Sequence, residues 1–255
     1  MGDRFNRRFK YYPDGTLAQI MVASGCCFAA DEADKRSAPR PRVASLMKRI
    51  EETEAASAAL GDRWEAAQQE SERRSRSRAR QRVFDLCYCN EFDWFITLTI
   101  DPAKCDSFDY NALIRKLNVW LDNRVRRRGL RYVVVPEYHK SGRIHFHGLI
   151  NDVLPAVNSG HKDKGGHEVY NLPDWTLGFT TAIRLYGDTA GAVRYVTKYI
   201  GKTEHIVGGR WYLHGGDLKE PHYTYDWCDY NEFVAGGVYE YIPEAGYRFK
   251  ICTYV

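Results

Sequence analysis

An antiparallel α+β sheet with helices packed on one side is the fold class this sequence predicts, on three observations. Short β-branched and aromatic runs recur from about residue 92: "FDWFITLTI", "LRYVVVPEY", "RIHFHGLI" and "FTTAIRLY". The second and third are joined by a short turn, as antiparallel hairpin partners are. Amphipathic helical stretches interrupt the strands in the order β-α-β-β-β-α, with more strand-like sequence behind.

The elements follow in chain order. Residues 1–42 mix Arg, Pro, Gly and small residues, as in "DEADKRSAPRPR", and read as an irregular N-terminal segment. Residues 43–90 read as a helical, Arg-rich extension. Val43, Leu46, Ile50, Leu60 and Trp64 recur at three-four spacing, and the pattern runs into "SERRSRSRARQR". There Arg73, Arg74, Arg76, Arg78, Arg80 and Arg82 form either a solvated face or a phosphate-tracking segment.

Residues 91–255 read as the main domain. "FITLTI" is its first strand. Tyr110, Leu113, Ile114, Leu117, Trp120, Leu121 and Val125 then form one helical stripe; Ser107 or Asp109 can cap its start and Gly129 can end it. Residues 151–176, with His161 and His167, read as a long polar loop crossing the surface. "AGAVRYVTKYIGK" is a short helix, and "GGVYEYI" and "YRFKICTYV" are strand-like.

The 255 residues are 44% hydrophobic and 14% aromatic, enough for a packed core. A net charge of +4 permits an anionic partner without requiring one. The seven cysteines are odd in number and contain no C-x-x-C pair. The start, "MGDRFNRRFKYY", carries no apolar run of signal or membrane-span length. Reduced thiols in a cytoplasmic protein, with no membrane partner, are expected.

The stretch "GRIHFHGLI" sets two histidines on one face of a strand. A three-residue hairpin loop, Lys140-Ser141-Gly142, places His139 opposite Arg143, Glu137 opposite His145 and Val135 opposite His147. Glu137, His145 and His147 then share one face. Two imidazoles and a carboxylate can hold a divalent ion with positions left open for a substrate oxygen. Two hydrogen-bonded histidines facing solvent account for the H-x-H pattern equally well.

On the short helix, with Tyr195 set at zero, Tyr199 falls at about 40°, Lys198 at about −60° and Lys202 at about −20°. Val193, Val196 and Ile200 fall between about 100° and 160°. One face is therefore apolar, and another presents two phenols and two ammonium groups. Such a face suits attack of a tyrosine oxygen on a phosphodiester, with Lys198 stabilising the charge. An ordinary amphipathic helix in a Tyr-rich protein would show the same pattern.

With these motifs in view, the sequence resembles the HUH endonucleases, in particular rolling-circle replication initiators of bacteriophages and plasmids. "FITLTID" is similar to the first strand motif of that superfamily, "GRIHFHGLI" to its histidine motif and "YVTKY" to its tyrosine motif in the two-tyrosine form. "WTLGF" and "IGK" resemble the phage-type branch. The resemblance spans roughly residues 92–202.

What it implies is a five-stranded antiparallel sheet and origin-specific nicking and joining of single-stranded DNA through a covalent 5′-phosphotyrosine. The implied cofactor is Mg²⁺ or Mn²⁺, held by His145, His147 and Glu137, with Asp101 ranked after Glu137. Tyr195, three residues before Lys198, is the first nucleophile and Tyr199 the second. Lys202, Arg124, Arg126, Arg127 and Arg128 would line the DNA path; a solvated surface is their other reading. No G-x-x-x-x-G-K-[ST] occurs, so no nucleotide cofactor is expected, and a host helicase would supply unwinding. The place of action would be the cytoplasm of a bacterial host.

Three other readings compete: a non-catalytic single-strand binder, a transposase or relaxase of the same superfamily, and an iron oxygenase with two histidines and one carboxylate. The last leaves the tyrosine-lysine helix without a role.

Overall fold

The structure is a computed structural model. It describes residues 4–23, 28–29, 54–106, 108–138, 143–186, 189–202, 210–229, 240–244 and 247–253. In chain order the strands are β1 (Arg4–Phe5), β2 (Arg7–Tyr11), β3 (Leu17–Ala23), β4 (Phe28–Ala29), β5 (Trp94–Ile100), β6 (Tyr132–Tyr138) and β7 (Ile144–Ile150). They continue with β8 (Val157–Lys162), β9 (Glu168–Asn171), β10 (Gly178–Arg184), β11 (Leu213–Gly215), β12 (His222–Asp226), β13 (Glu240–Glu244) and β14 (Tyr247–Thr253). The helices are α1 (Glu54–Cys89), α2 (Tyr110–Arg128) and α3 (Thr189–Lys202).

Two compact units divide the chain: Met1–Glu72 with Pro221–Val255, and Arg73–Glu220. These do not coincide with the expected segments 1–42, 43–90 and 91–255. The reason lies in strand pairing. The first unit holds a five-stranded antiparallel sheet ordered β12-β2-β3-β14-β13, so strands from the two ends of the chain share one sheet. Residues 1–42 are thus not irregular throughout. Ala18, Ile20 and Val22 alternate into the interior of β3. A turn at Pro13-Asp14-Gly15, with Gly15 at φ 86°, joins β3 to β2. Val43, Leu46 and Ile50 of the expected seam lie outside the described residues, and Trp64 is exposed.

The second unit is built on a seven-stranded antiparallel sheet ordered β11-β6-β7-β5-β10-β9-β8. A five-stranded sheet was expected; the four strands read from 92 to 186, β5, β6, β7 and β10, are here joined by three more, β11 at one edge and, at the other, a β8–β9 hairpin within the stretch 151–176 expected to be a loop. Alternation along β5 explains the two-faced core. Trp94, Ile96, Leu98 and Ile100 are buried with Tyr132, Val134, Phe146 and Ile150 beneath Leu113, Leu117, Trp120 and Leu121 of α2. On the opposite face Val133, Val135 and Leu149 pack with Val193, Val196 and Ile200 of α3 and with Ala79, Val83, Leu86 and Cys87 of α1. Helices therefore cover both faces, not one. The end of the Arg-rich helix is part of this core.

Helix α2 starts where Asp109 accepts from the Ala112 N–H at 2.9 Å, and ends at Gly129 in the left-handed region at φ 68°. Gly148 meets a different demand. A Cβ there would lie 2.4 Å from the Val133 carbonyl oxygen, so strand pairing leaves no room for a side chain. Gly148→Ala is expected to cost about 1–3 kcal/mol through overpacking, measured as a lower Tm; an unchanged Tm would reject that close approach. Among the described residues, no helix is long and apolar enough to cross a membrane.

Candidate active site

Three cross-strand rows floor the sheet face that carries α3. The first is Glu137–His145–Thr99–Phe179, the second Val135–His147–Thr97–Thr181 and the third Val133–Leu149–Phe95–Ile183. Glu137 faces His145 and Val135 faces His147, the register expected from the three-residue hairpin; the loop itself, residues 139–142, lies outside the described residues. The apolar third row anchors α3, and the polar residues gather in the first two.

His147 is the best-held side chain of this set. It is buried, and both ring nitrogens are engaged: Nε2 lies 2.8 Å from Glu137 Oε2, and Nδ1 lies 3.0 Å from Thr97 Oγ1. The Tyr199 ring lies flat on the imidazole, centroids 4.0 Å apart and planes 7° from parallel. Phe95 lies nearly parallel to it as well, at 6.2 Å and 8°. In the neutral ring with the proton on Nε2, that nitrogen donates to the Glu137 carboxylate and Nδ1 accepts from the Thr97 hydroxyl. In the other tautomer Nδ1–H donates to Thr97, whose oxygen can also accept. Thr97 thus serves either state, and Nε2 is freed for an electrophile.

Helix α3 presents Val193, Val196 and Ile200 to the sheet, as its periodicity predicted. Tyr199 joins them: only 5% of it is exposed, whereas Lys198 is exposed. Of the expected face, Tyr199 and Lys198 are therefore parted, because position 199 lies over His147 at the edge of the apolar stripe. The side chains of Tyr195 and Lys202 lie outside the described residues; their backbones belong to α3, with Tyr195 one turn before Tyr199.

The expected metal ligands share a face but are not gathered into one cluster. His145 and His147 have ring centroids 6.5 Å apart. Among the described residues, no group of three or more His, Cys, Asp or Glu is disposed to hold a metal ion. The donor set nonetheless fits one. Two imidazoles and a carboxylate are donor types that a divalent ion accepts. Removing the shared proton would leave an imidazole nitrogen and a carboxylate oxygen 2.8 Å apart, with His145 opposite Glu137 in the same row.

Other expected residues lie elsewhere. The Asp101 carboxylate accepts from the Ala103 N–H at 3.0 Å and closes a turn after β5. Arg124, Arg126, Arg127 and Arg128 sit on α2, over the sheet face opposite the histidines. Arg124 stacks on Trp120, and both Arg124 and Arg128 approach Asp174 at 3.6 Å. On α1, Arg76 lies over the Trp211 ring and Arg82 pairs with Glu220, while Arg73, Arg74, Arg78 and Arg80 are exposed. Sequence reading missed Thr97 and Phe95. The signal was there: "FITLTI" places threonines on one face of an otherwise apolar strand. Which strand would lie beside β5 could not be read from it.

Residues 93–204 match the protein family described as Replication-associated protein ORF2/G2P, a span under half of the chain. It runs from β5 to the end of α3 and contains every residue of the site described above. At the level of that family it agrees with the resemblance to rolling-circle replication proteins. No curated protein and no solved structure matches the chain.

Proposed function

We propose that this protein initiates rolling-circle replication by nicking and rejoining single-stranded DNA, through a covalent phosphotyrosine on Tyr195. The observation that carries this reading is the contact between the tyrosine helix and the histidine strand: Tyr199 of α3 lies 4.0 Å from the imidazole that also holds Glu137. A helix bearing "YVTKY" and a strand bearing "HFH" are thereby placed on one sheet face, as attack on a phosphate held beside the histidines requires.

In the proposed step the Tyr195 oxygen bonds to phosphorus as the bond from phosphorus to the ribose 3′-oxygen breaks. The phenol proton passes to water, and the leaving oxygen takes a proton to become a 3′-hydroxyl. Lys198, one turn along the helix and exposed, offsets the negative charge that develops on phenol and phosphate. Rejoining is the reverse, attack of a 3′-hydroxyl on the phosphotyrosine. One phosphodiester is exchanged for one phosphotyrosine, so no nucleotide is consumed.

Glu137, His145 and His147 would hold a divalent cation. When bound, that cation would supply Lewis-acid polarisation of the scissile phosphate. Of the two expected ions, Mn²⁺ suits imidazole nitrogen better than Mg²⁺ does. Incubating the chain with labelled single-stranded origin DNA and Mn²⁺ tests the reading. A labelled band that survives denaturation on a gel is expected. Stoichiometric binding with no such band on any cognate strand would instead make the protein a single-strand binder.

Phe179 gives that strand a place to lie. It is 67% exposed at the end of the row through Glu137, His145 and Thr99. A nucleobase stacked on its ring fits the chemistry of single-strand recognition. Phe179→Ala is expected to weaken binding of a single-stranded oligonucleotide about tenfold or more, with Mn²⁺ affinity unchanged. An equal Kd would remove Phe179 from the DNA path.

A further inference from the structure

Tyr199 matches the second tyrosine of the tyrosine motif, yet its geometry suits another task. We infer that Tyr199 is a positioning residue, which holds the His147 imidazole in place through the face of its ring, and not a second nucleophile. The inference rests on the nicking reading for what the site does, and on the packing of His147 for how it is held.

An imidazole on a strand can turn about its two side-chain bonds, and a ligand must not. Hydrogen bonds at Nδ1 and Nε2 fix two edges of the His147 ring, through Thr97 and Glu137. With the tether at Cβ these set the ring plane, but hydrogen bonds tolerate tens of degrees of misalignment and leave the ring room to rock. A flat surface against the ring narrows that freedom, and Tyr199 supplies it at 4.0 Å and 7°. Phe95, parallel at 6.2 Å, is too distant to replace that contact. Because the rings are stacked, the phenol meets His147 through its π face. The stack itself does not involve the hydroxyl, which lies in the plane of its own ring. A nucleophile must also be reached by the backbone of a DNA strand, and only 5% of Tyr199 is exposed.

Two substitutions separate the roles. Tyr199→Phe keeps the ring and removes the only nucleophilic atom. Tyr199→Leu keeps comparable bulk and removes the flat face. Mn²⁺ affinity is measured by calorimetry on the full chain without DNA, and covalent adduct and strand rejoining are measured with DNA. Tyr199→Phe is expected to leave all three within about twofold of wild type. Tyr199→Leu is expected to lower Mn²⁺ affinity about 10–100-fold, with adduct formation falling alongside.

Loss of rejoining in Tyr199→Phe, with the first nick intact, would make Tyr199 a nucleophile and overturn the proposal. So would wild-type Mn²⁺ affinity in a folded Tyr199→Leu, or no Mn²⁺ binding by the wild type. If Tyr199→Leu does not fold, Tyr199→Phe alone decides, since it creates no cavity. A wild type that binds Mn²⁺ but forms no adduct would overturn the nicking reading and leave the role of Tyr199 standing.

Discussion

Tyr195→Phe should abolish the covalent adduct with single-stranded DNA, at least about 10³-fold below wild type. The size follows from what is removed. One oxygen is lost, and it is the atom that bonds to phosphorus; Tyr199, buried against His147, is not placed to replace it. The helix should survive, because its packing rests on Val193, Val196 and Ile200, which are unchanged. DNA affinity should survive too, since phosphate charge and base stacking do not depend on that oxygen. The measurement is adduct yield on a denaturing gel beside an oligonucleotide Kd, followed by peptide mapping of any residual adduct. An adduct that persists on Tyr199 would reject both the choice of nucleophile and the positioning role of Tyr199. Unchanged yield on neither tyrosine would reject phosphotyrosine chemistry on this helix altogether.

The parts of the site that were legible are those with local periodicity. The Glu137–His145 register followed from one hairpin loop, because side chains alternate strictly and a short turn allows few pairings. The capped start and end of α2 followed from Asp109 and Gly129. What failed was non-local. Strands β2 and β3 pair with β12 and β14 from the other end of the chain, and nothing in a local window announces that. Ala79, Val83 and Leu86 recur at helical spacing, yet the surrounding arginines drew the reading toward a solvated extension. The charge density of "RARQR" describes the outward side of α1, while its inward side belongs to the core. Tyr199 shows the same limit at finer scale. A helical wheel places it within about 40° of Tyr195, but whether that angle faces solvent or an imidazole depends on the sheet beneath.

Glu137→Gln asks whether the carboxylate is there for its charge. The amide oxygen can accept from His147 Nε2–H as the carboxylate does, so the hydrogen bond, the row and the stack of Tyr199 on His147 are kept. Metal-free stability should change by about 1 kcal/mol or less, the net worth of one such bond. What is lost is the negative charge beside Nε2. In the wild type, Mn²⁺ at a hundred times its Kd should add about 2.7 kcal/mol of stability. In a domain of this size that raises Tm by roughly 5–10 °C. Glu137→Gln should show almost none of that rise at the same concentration, and its nicking rate should fall at least about 100-fold, the several kcal/mol that a Lewis acid supplies. Thermal melts with and without Mn²⁺ check the first claim and adduct kinetics the second. Two hydrogen-bonded histidines that merely face solvent give the opposite result: a neutral amide would serve them equally well, and neither the melt nor the rate would register the change.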